Sequence, residues 1–296
     1  IGALARAPDP VTALNRLDDM IAQLPSAINF FKLLVARPAL TAILCEILSH
    51  APILAEALSR RIALFDGLID ASALDAMPPL DELIDWLGTS ESGDDFQALL
   101  EQVRQKIGDR RFALGTQIIC GSVDLIEAGK GYGRLAEAAV RVLAQATVAE
   151  FEKVHGRIDG GELVIVALGR LGGGVLTHAS DLDMVYLFTG DFERESDGKK
   201  PLGATQYFNR LAQRVSNALS VPGASGPLYE VDTRLRPFGA QGLLATLTAS
   251  SPCAISNGKC LGVGASCPDP CTVDIRFAGC TRGSDKDYYA NAHPPA

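Results

Sequence analysis

The hydrophobic period of this chain, helical throughout its first half, first changes near residue 157, and that change limits the folds open to it more than any other feature. From Pro10 to Val154 apolar residues recur at intervals of three and four. In DDFQALLEQVRQKIGDRR the set Phe96, Leu99, Leu100, Val103 and Ile107 falls on one helix face, which predicts a buried stripe. Residues 26 to 61 predict three short helices, with Ser26 as an N-cap and Pro38 and Pro52 each opening a first turn. A longer helix is predicted from Tyr132, ended by Gly156, and DAMPPL and GTSESGDD read as linkers. No internal repeat at a fixed period interrupts this pattern.

Beyond GRIDGG the runs shorten. ELVIVALG and DLDMVYLFTG are nearly continuous apolar segments rich in β-branched residues, as buried strands are. Helical spacing returns through Phe208, Leu211, Val215 and Leu219, and PLYEVDTRLRP reads as a third strand. The order is strand, glycine turn with a short helix, strand, helix, strand. The fold class is α+β: a helical N-terminal region over residues 1–157, then a mixed β-sheet core with flanking helices over 158–250.

Residues 251–296 have another composition. Cys253, Cys260, Cys267, Cys271 and Cys280 crowd this Gly- and Pro-rich stretch, whereas Cys45 and Cys120 sit alone in helical surroundings. No Cys-x-x-Cys pair occurs there, and an odd count leaves one thiol over, so neither a zinc site nor a complete disulfide framework is expected. We read the stretch as an atypical tail, disordered or encoded out of frame. The first residue is Ile1, so the chain reads as a piece of something longer.

The region with most chemistry is GRLGGGVLTHASDLDMVYLFTGD. Side chains alternate across a strand, so Asp181 and Asp183 project to one face while Leu182 enters the core. Two carboxylates that close repel, and the offset is a shared proton, a basic partner or a divalent cation. Mg²⁺ favours carboxylate oxygens, water and substrate phosphate, which suits an Asp-x-Asp beside a phosphate cradle. Gly172, Gly173 and Gly174 supply that cradle by letting main-chain N–H groups approach phosphate without a Cβ.

A third carboxylate, Asp232, lies in the third strand, and three acidic residues on adjacent strands suffice for two metal ions. Arg234 and Arg236 alternate onto the face of Asp232, either to bind phosphate or to pair with the carboxylates. Ser180 is a capping residue or a phosphate contact. His178 reads as a loop or supporting residue, since no second histidine has metal-ligand spacing. Trp86 and the Leu/Ala-rich helices of the first half read as core. The net charge of -8 and pI near 5.1 argue against a dedicated nucleic-acid binder, and no apolar run has the length of a membrane span. The expected setting is the cytoplasm.

VIVALGRLGGGVLTHASDLDMVYLF followed by YEVDTRLRPFGAQGLLATL resembles the nucleotidyltransferase core of glutamine synthetase adenylyltransferase. The resemblance covers roughly residues 10 to 250. It implies a nucleotidyltransferase-type sheet, with Asp181, Asp183 and Asp232 as catalytic metal carboxylates, Mg²⁺ as cofactor and ATP as substrate. The nucleotide-binding set is then Gly172, Gly173, Ser180, Arg234 and Arg236. It also implies glutamine synthetase as partner, with a nitrogen-regulatory PII-type signalling protein as a second one. That family has two such cores, one transferring AMP and one removing it by phosphorolysis. YEVD and the helical stretch from Ser26 to Asp70 look more like the transferring half. AMP removal, or a non-catalytic fragment that only binds partners, are the alternative functions. After GLLATLTAS the family continues with an aromatic, charged helical segment that this chain lacks.

Overall fold

The computed structural model describes residues 2, 4–89, 95–223, 226–235 and 242–247, together with the backbone of 274–277. The chain divides into two units. The first comprises residues 1–142, 175–179 and 221–228, and the second comprises 143–174, 180–220 and 229–296. Their composition confirms the α+β reading, with helices first and a small mixed sheet after.

In the first unit α1 (Pro10–Ala22), α2 (Ala27–Ala36), α3 (Pro38–His50), α4 (Pro52–Arg60) and α5 (Leu64–Ile69) are followed by α6 (Leu80–Gly88) and α7 (Phe96–Ile119). The caps are those expected from the sequence. The Ser26 hydroxyl accepts from the Asn29 amide at 3.3 Å, and Pro38 and Pro52 occupy first-turn positions where no N–H is needed. Met20, Phe30, Leu44, Ile47, Leu58, Phe65 and Phe112 close one apolar core. On α7, Leu100, Val103 and Ile107 are buried, while Phe96 and Leu99 lie half-buried at its start.

The next helix, α8 (Leu125–His155), begins earlier than the apolar pattern suggests. Gly129, Gly131 and Gly133 disguise its first turns as a loop. Two of them have packing reasons: a Cβ at Gly129 would meet Val175 Cγ1 at 2.7 Å, and one at Gly131 would meet Leu114 at 3.1 Å. Close approach of neighbouring chain has taken precedence over helix propensity. Among the described residues no single helix is long and apolar enough to cross a membrane.

The second unit takes the rest of α8 and builds a sheet from β1 (Leu163–Ala167), β2 (Leu182–Phe188), β3 (Val231–Asp232), β4 (Ala245–Leu247) and β5 (Asp274–Phe277), with α9 (Gly169–Gly172) and α10 (Ala204–Ser220). β1 pairs antiparallel with β2 and parallel with β5, while β2 pairs parallel with β3 and, further along, with β4. β1 is buried at all five positions, as a strand covered on both faces must be. α10 turns Phe208, Leu211, Val215 and Leu219 inward; the Phe208 ring stacks on Phe188 at 4.7 Å, and the Ser216 hydroxyl donates to buried Tyr186 at 2.9 Å.

The third predicted strand is shorter than PLYEVDTRLRP. Its pairing covers Val231–Asp232 alone, because the Asp232 carboxylate accepts the Arg234 amide at 2.8 Å and turns the chain away. Within residues 251–296 the described part is β5; all five cysteines there lie outside the described residues.

Gly156 ends α8 with φ of 69°, and a Cβ there would collide with the backbone of Gly198 and the side chain of Asp197. Neither obstacle is the free end of a flexible chain. Gly156→Ala should therefore destabilise the second unit by about 2–4 kcal/mol, read as a fall in the urea midpoint, whereas the exposed Gly160→Ala should cost only the left-handed backbone strain, about 1 kcal/mol.

Candidate active site

The antiparallel register sets Ala167 beside Met184, so the end of β1 and the start of β2 lie together. The glycine turn leaves from one and the aspartates enter the other. The Leu168 amide donates to the Asp183 carbonyl at 2.8 Å, and α9 turns immediately above it. Leu182 is fully buried, and Asp181 and Asp183 remain half-exposed on the opposite side, as strand alternation requires.

The parallel pairing of β2 with β3 places Leu182 opposite Val231 and Asp183 opposite Asp232. Asp181, Asp183 and Asp232 consequently each offer a carboxylate oxygen within 4.8 Å of the others. Burial, then Asp181, then Asp232 push the Asp183 carboxyl above its usual pKa. Asp232 is shifted the opposite way, chiefly by the hydrogen bond from Arg234. An all-oxygen, net negative donor set with one carboxyl reluctant to ionise fits a hard divalent cation such as Mg²⁺.

Two arginines supply the present counter-charge. Arg234 reaches Asp232 through Nε at 2.9 Å and Nη2 at 2.5 Å, and Arg170 lies 3.4 Å from Asp181. Arg234 gets there by the turn after β3 rather than by alternation along a longer strand. Its side chain is 82% exposed, so the pair is weakly held and open to exchange. Arg236, the other arginine expected from the sequence to bind nucleotide, lies outside the described residues.

The glycines divide into two kinds. The amides of Gly172, Gly173 and Gly174 donate to Leu168, Gly169 and Leu171 inside the turn, so none of them is a free N–H group; Gly172 is buried, and Gly173 alone of the pair offers an exposed surface. At Gly173 the nearest atoms to a Cβ are 3.6 Å away. Gly169 is the constrained one: its φ is 54° and a Cβ would fall on the Asp183 carboxylate. Sequence reasoning included it in the turn without a role, although its position directly after a strand opposite an aspartate was the available signal. Ser180 is buried beside Asp181. His178 belongs to the helical unit, where its ring meets Tyr132 edge-on, and burial with the neighbouring Arg111 charge lowers its pKa to about 4. It is a neutral supporting residue at physiological pH.

Against known proteins, a family model described as glutamate-ammonia ligase adenylyltransferase matches residues 41–252. The chain is 39% identical over 236 residues to the bifunctional glutamine synthetase adenylyltransferase/adenylyl-removing enzyme of Mesorhizobium japonicum, covering 79% of this chain and 24% of the relative. The enzyme of the same name from Brucella suis is 39% identical over 239 residues, and that from Agrobacterium fabrum 37% over 236, with the same coverages. The chain thus spans about a quarter of the length of these curated relatives.

The raised pKa of Asp183 gives a stability signature. Its protonated form is favoured in the fold, so its contribution is full below the usual value of 3.8 and is lost as pH rises through the higher folded value. In chelator, the melting midpoint of Asp183→Asn should equal that of the parent at low pH and rise relative to it across that window. Gly169→Ala should lower the midpoint at every pH, because the strain of its left-handed backbone does not titrate.

Proposed function

The chain belongs to the glutamate-ammonia ligase adenylyltransferase family, and on that premise we propose that it carries an adenylyl-transferring core, moving AMP from ATP to a tyrosine of glutamine synthetase. The observation that carries this reading is the convergence of Asp181, Asp183 and Asp232 beside a glycine turn whose outer face is open. In this reading the three carboxylates hold Mg²⁺. When bound, the ion offsets triphosphate charge and lowers the pKa of an attacking hydroxyl.

The chain's own groups do the positioning. Arg170 and Arg234 exchange their carboxylate partners for phosphate oxygens, a match that guanidinium geometry favours. Gly173 leaves room for the triphosphate against the turn, and buried Ser180 anchors the start of the aspartate pair. The tyrosine oxygen attacks the α-phosphorus in line with the leaving group. The bond from that phosphorus to the oxygen bridging to the β-phosphate breaks, pyrophosphate departs with the electron pair, and the phenolic proton passes to solvent. A PII-type signalling protein is a second partner in this reading, and the cytoplasm is the setting.

Glutamine synthetase incubated with the chain, ATP and Mg²⁺ should gain the mass of AMP on a tyrosine, and Asp183→Asn or Asp232→Asn should slow this by about a hundredfold. Release of ADP from adenylylated glutamine synthetase and phosphate, with no forward transfer, would instead assign AMP removal. Gly173→Ala should keep the parental melting midpoint yet weaken ATP binding, since a Cβ there fits the empty turn but not a phosphate against it.

A further inference from the structure

β3 has two paired residues, which is too few to specify its own register. A slip by one residue would turn the Asp232 side chain to the other face and remove it from the carboxylate cluster. Something outside the ladder must therefore fix which residue of the β3 segment faces Asp183. One bond does so locally, from the Leu182 amide to the Glu230 carbonyl at 2.8 Å.

A second restraint lies upstream in the helical unit. The segments leading into β2 and β3, residues 175–179 and 221–228, both belong to that unit. Arg111 of α7 donates to a carbonyl in each. Its Nη1 meets the Leu228 oxygen at 2.8 Å, and its Nη2 meets the His178 oxygen. The two acceptors are separated by 50 positions, and the paired residues Asp183 and Asp232 by 49. The guanidinium thus spans the two lead-ins within one residue of the offset that the strands adopt.

The surroundings hold Arg111 for this task. The Tyr132 hydroxyl donates to its carbonyl at 3.3 Å, and the same lead-in is seated on α8 by the bond from the Leu176 amide to the Gly129 carbonyl at 3.0 Å. Seven residues earlier on the same face of α7, Arg104 binds the Val221 carbonyl at 3.0 Å, at the far end of the second lead-in. Arg104 touches only one of the two segments among these bonds, so it serves as a natural control.

We propose that Arg111 is a positioning residue that sets the register of β3 against β2 and so delivers Asp232 to the metal carboxylates. The proposal rests on the metal-site reading given above. A rigid planar fork is needed because two carbonyls must be held at a fixed separation, which a lysine ammonium does not do. Arg111 does not touch the reacting atoms; its effect passes along three residues of chain to Asp181 and four to Asp232.

The test is titration of the full chain with Mn²⁺ alone, following the free ion by electron paramagnetic resonance. Parent, Asp183→Asn, Arg111→Lys, Arg111→Gln and Arg104→Lys are each measured below their own melting midpoints, so that folded protein is titrated throughout. The expected result is saturable binding by the parent, its loss in Asp183→Asn, weakening by about tenfold or more in both Arg111 variants, and parental binding in Arg104→Lys. Parental affinity in either Arg111 variant would overturn the proposal while leaving the metal site intact. Equal weakening in Arg104→Lys would overturn it too, because the effect would then be general loosening of α7. If the parent and Asp183→Asn behave alike, the metal-site reading itself falls, and the role of Arg111 falls with it.

Discussion

Three like charges confined within 4.8 Å form the constraint around which this end of the sheet is organised. Such a cluster is unfavourable by itself, and the chain tolerates it through geometry rather than burial. β1 delivers the glycine turn, β2 delivers two aspartates on one face, and a two-residue ladder brings the third. Each arrangement lies at the chain end of a strand, where the backbone is already fixed by sheet hydrogen bonds and only the side chains remain to be arranged. Gly169 completes the fit because only a residue without a Cβ leaves space for the Asp183 carboxylate.

The charges are answered unevenly. Asp232 has a bidentate guanidinium and titrates below its usual range, whereas Asp183 has burial and two anionic neighbours and titrates above it. The unequal environments leave a specific deficit of positive charge at Asp183, and a cation entering the cluster would meet it there. The exposed arginines are held by pairs that cost little to break in water, so they remain available to a ligand carrying negative charge.

Much of this was legible in the sequence, and the limits have physical reasons. Short-range signals read well: Ser26, Pro38 and Pro52 act through their own turns, and the alternation that separates Leu182 from its flanking aspartates is a property of any strand. Signals that depend on distant partners did not. Of the three glycines in the first turns of α8, Gly129 and Gly131 are there because Val175 and Leu114 press against them, and nothing local announces either neighbour. β3 is shorter than its sequence suggests because the side chain that ends it, Asp232, captures the following amide, a local bond that its charge alone does not signal. Arg111 carries no motif, and its role exists only once segments far along the chain have been brought to it.

The glycines of α8 also bear on the order of folding. Each lowers the intrinsic helicity of the segment by about 1 kcal/mol relative to alanine, so the turns around residues 129–133 have little tendency to form on their own. Compensation at Gly129 and Gly131 comes from contacts with residues 114 and 175–176, the latter more than forty positions away. The alanine- and valine-rich stretch that follows, from Leu135 to Val148, has no such dependence and is the natural nucleus of the helix. α8 should grow backward from that stretch, with its N-terminal turns setting only as the segment before the aspartates docks, so that helix completion and assembly of the site are one late event.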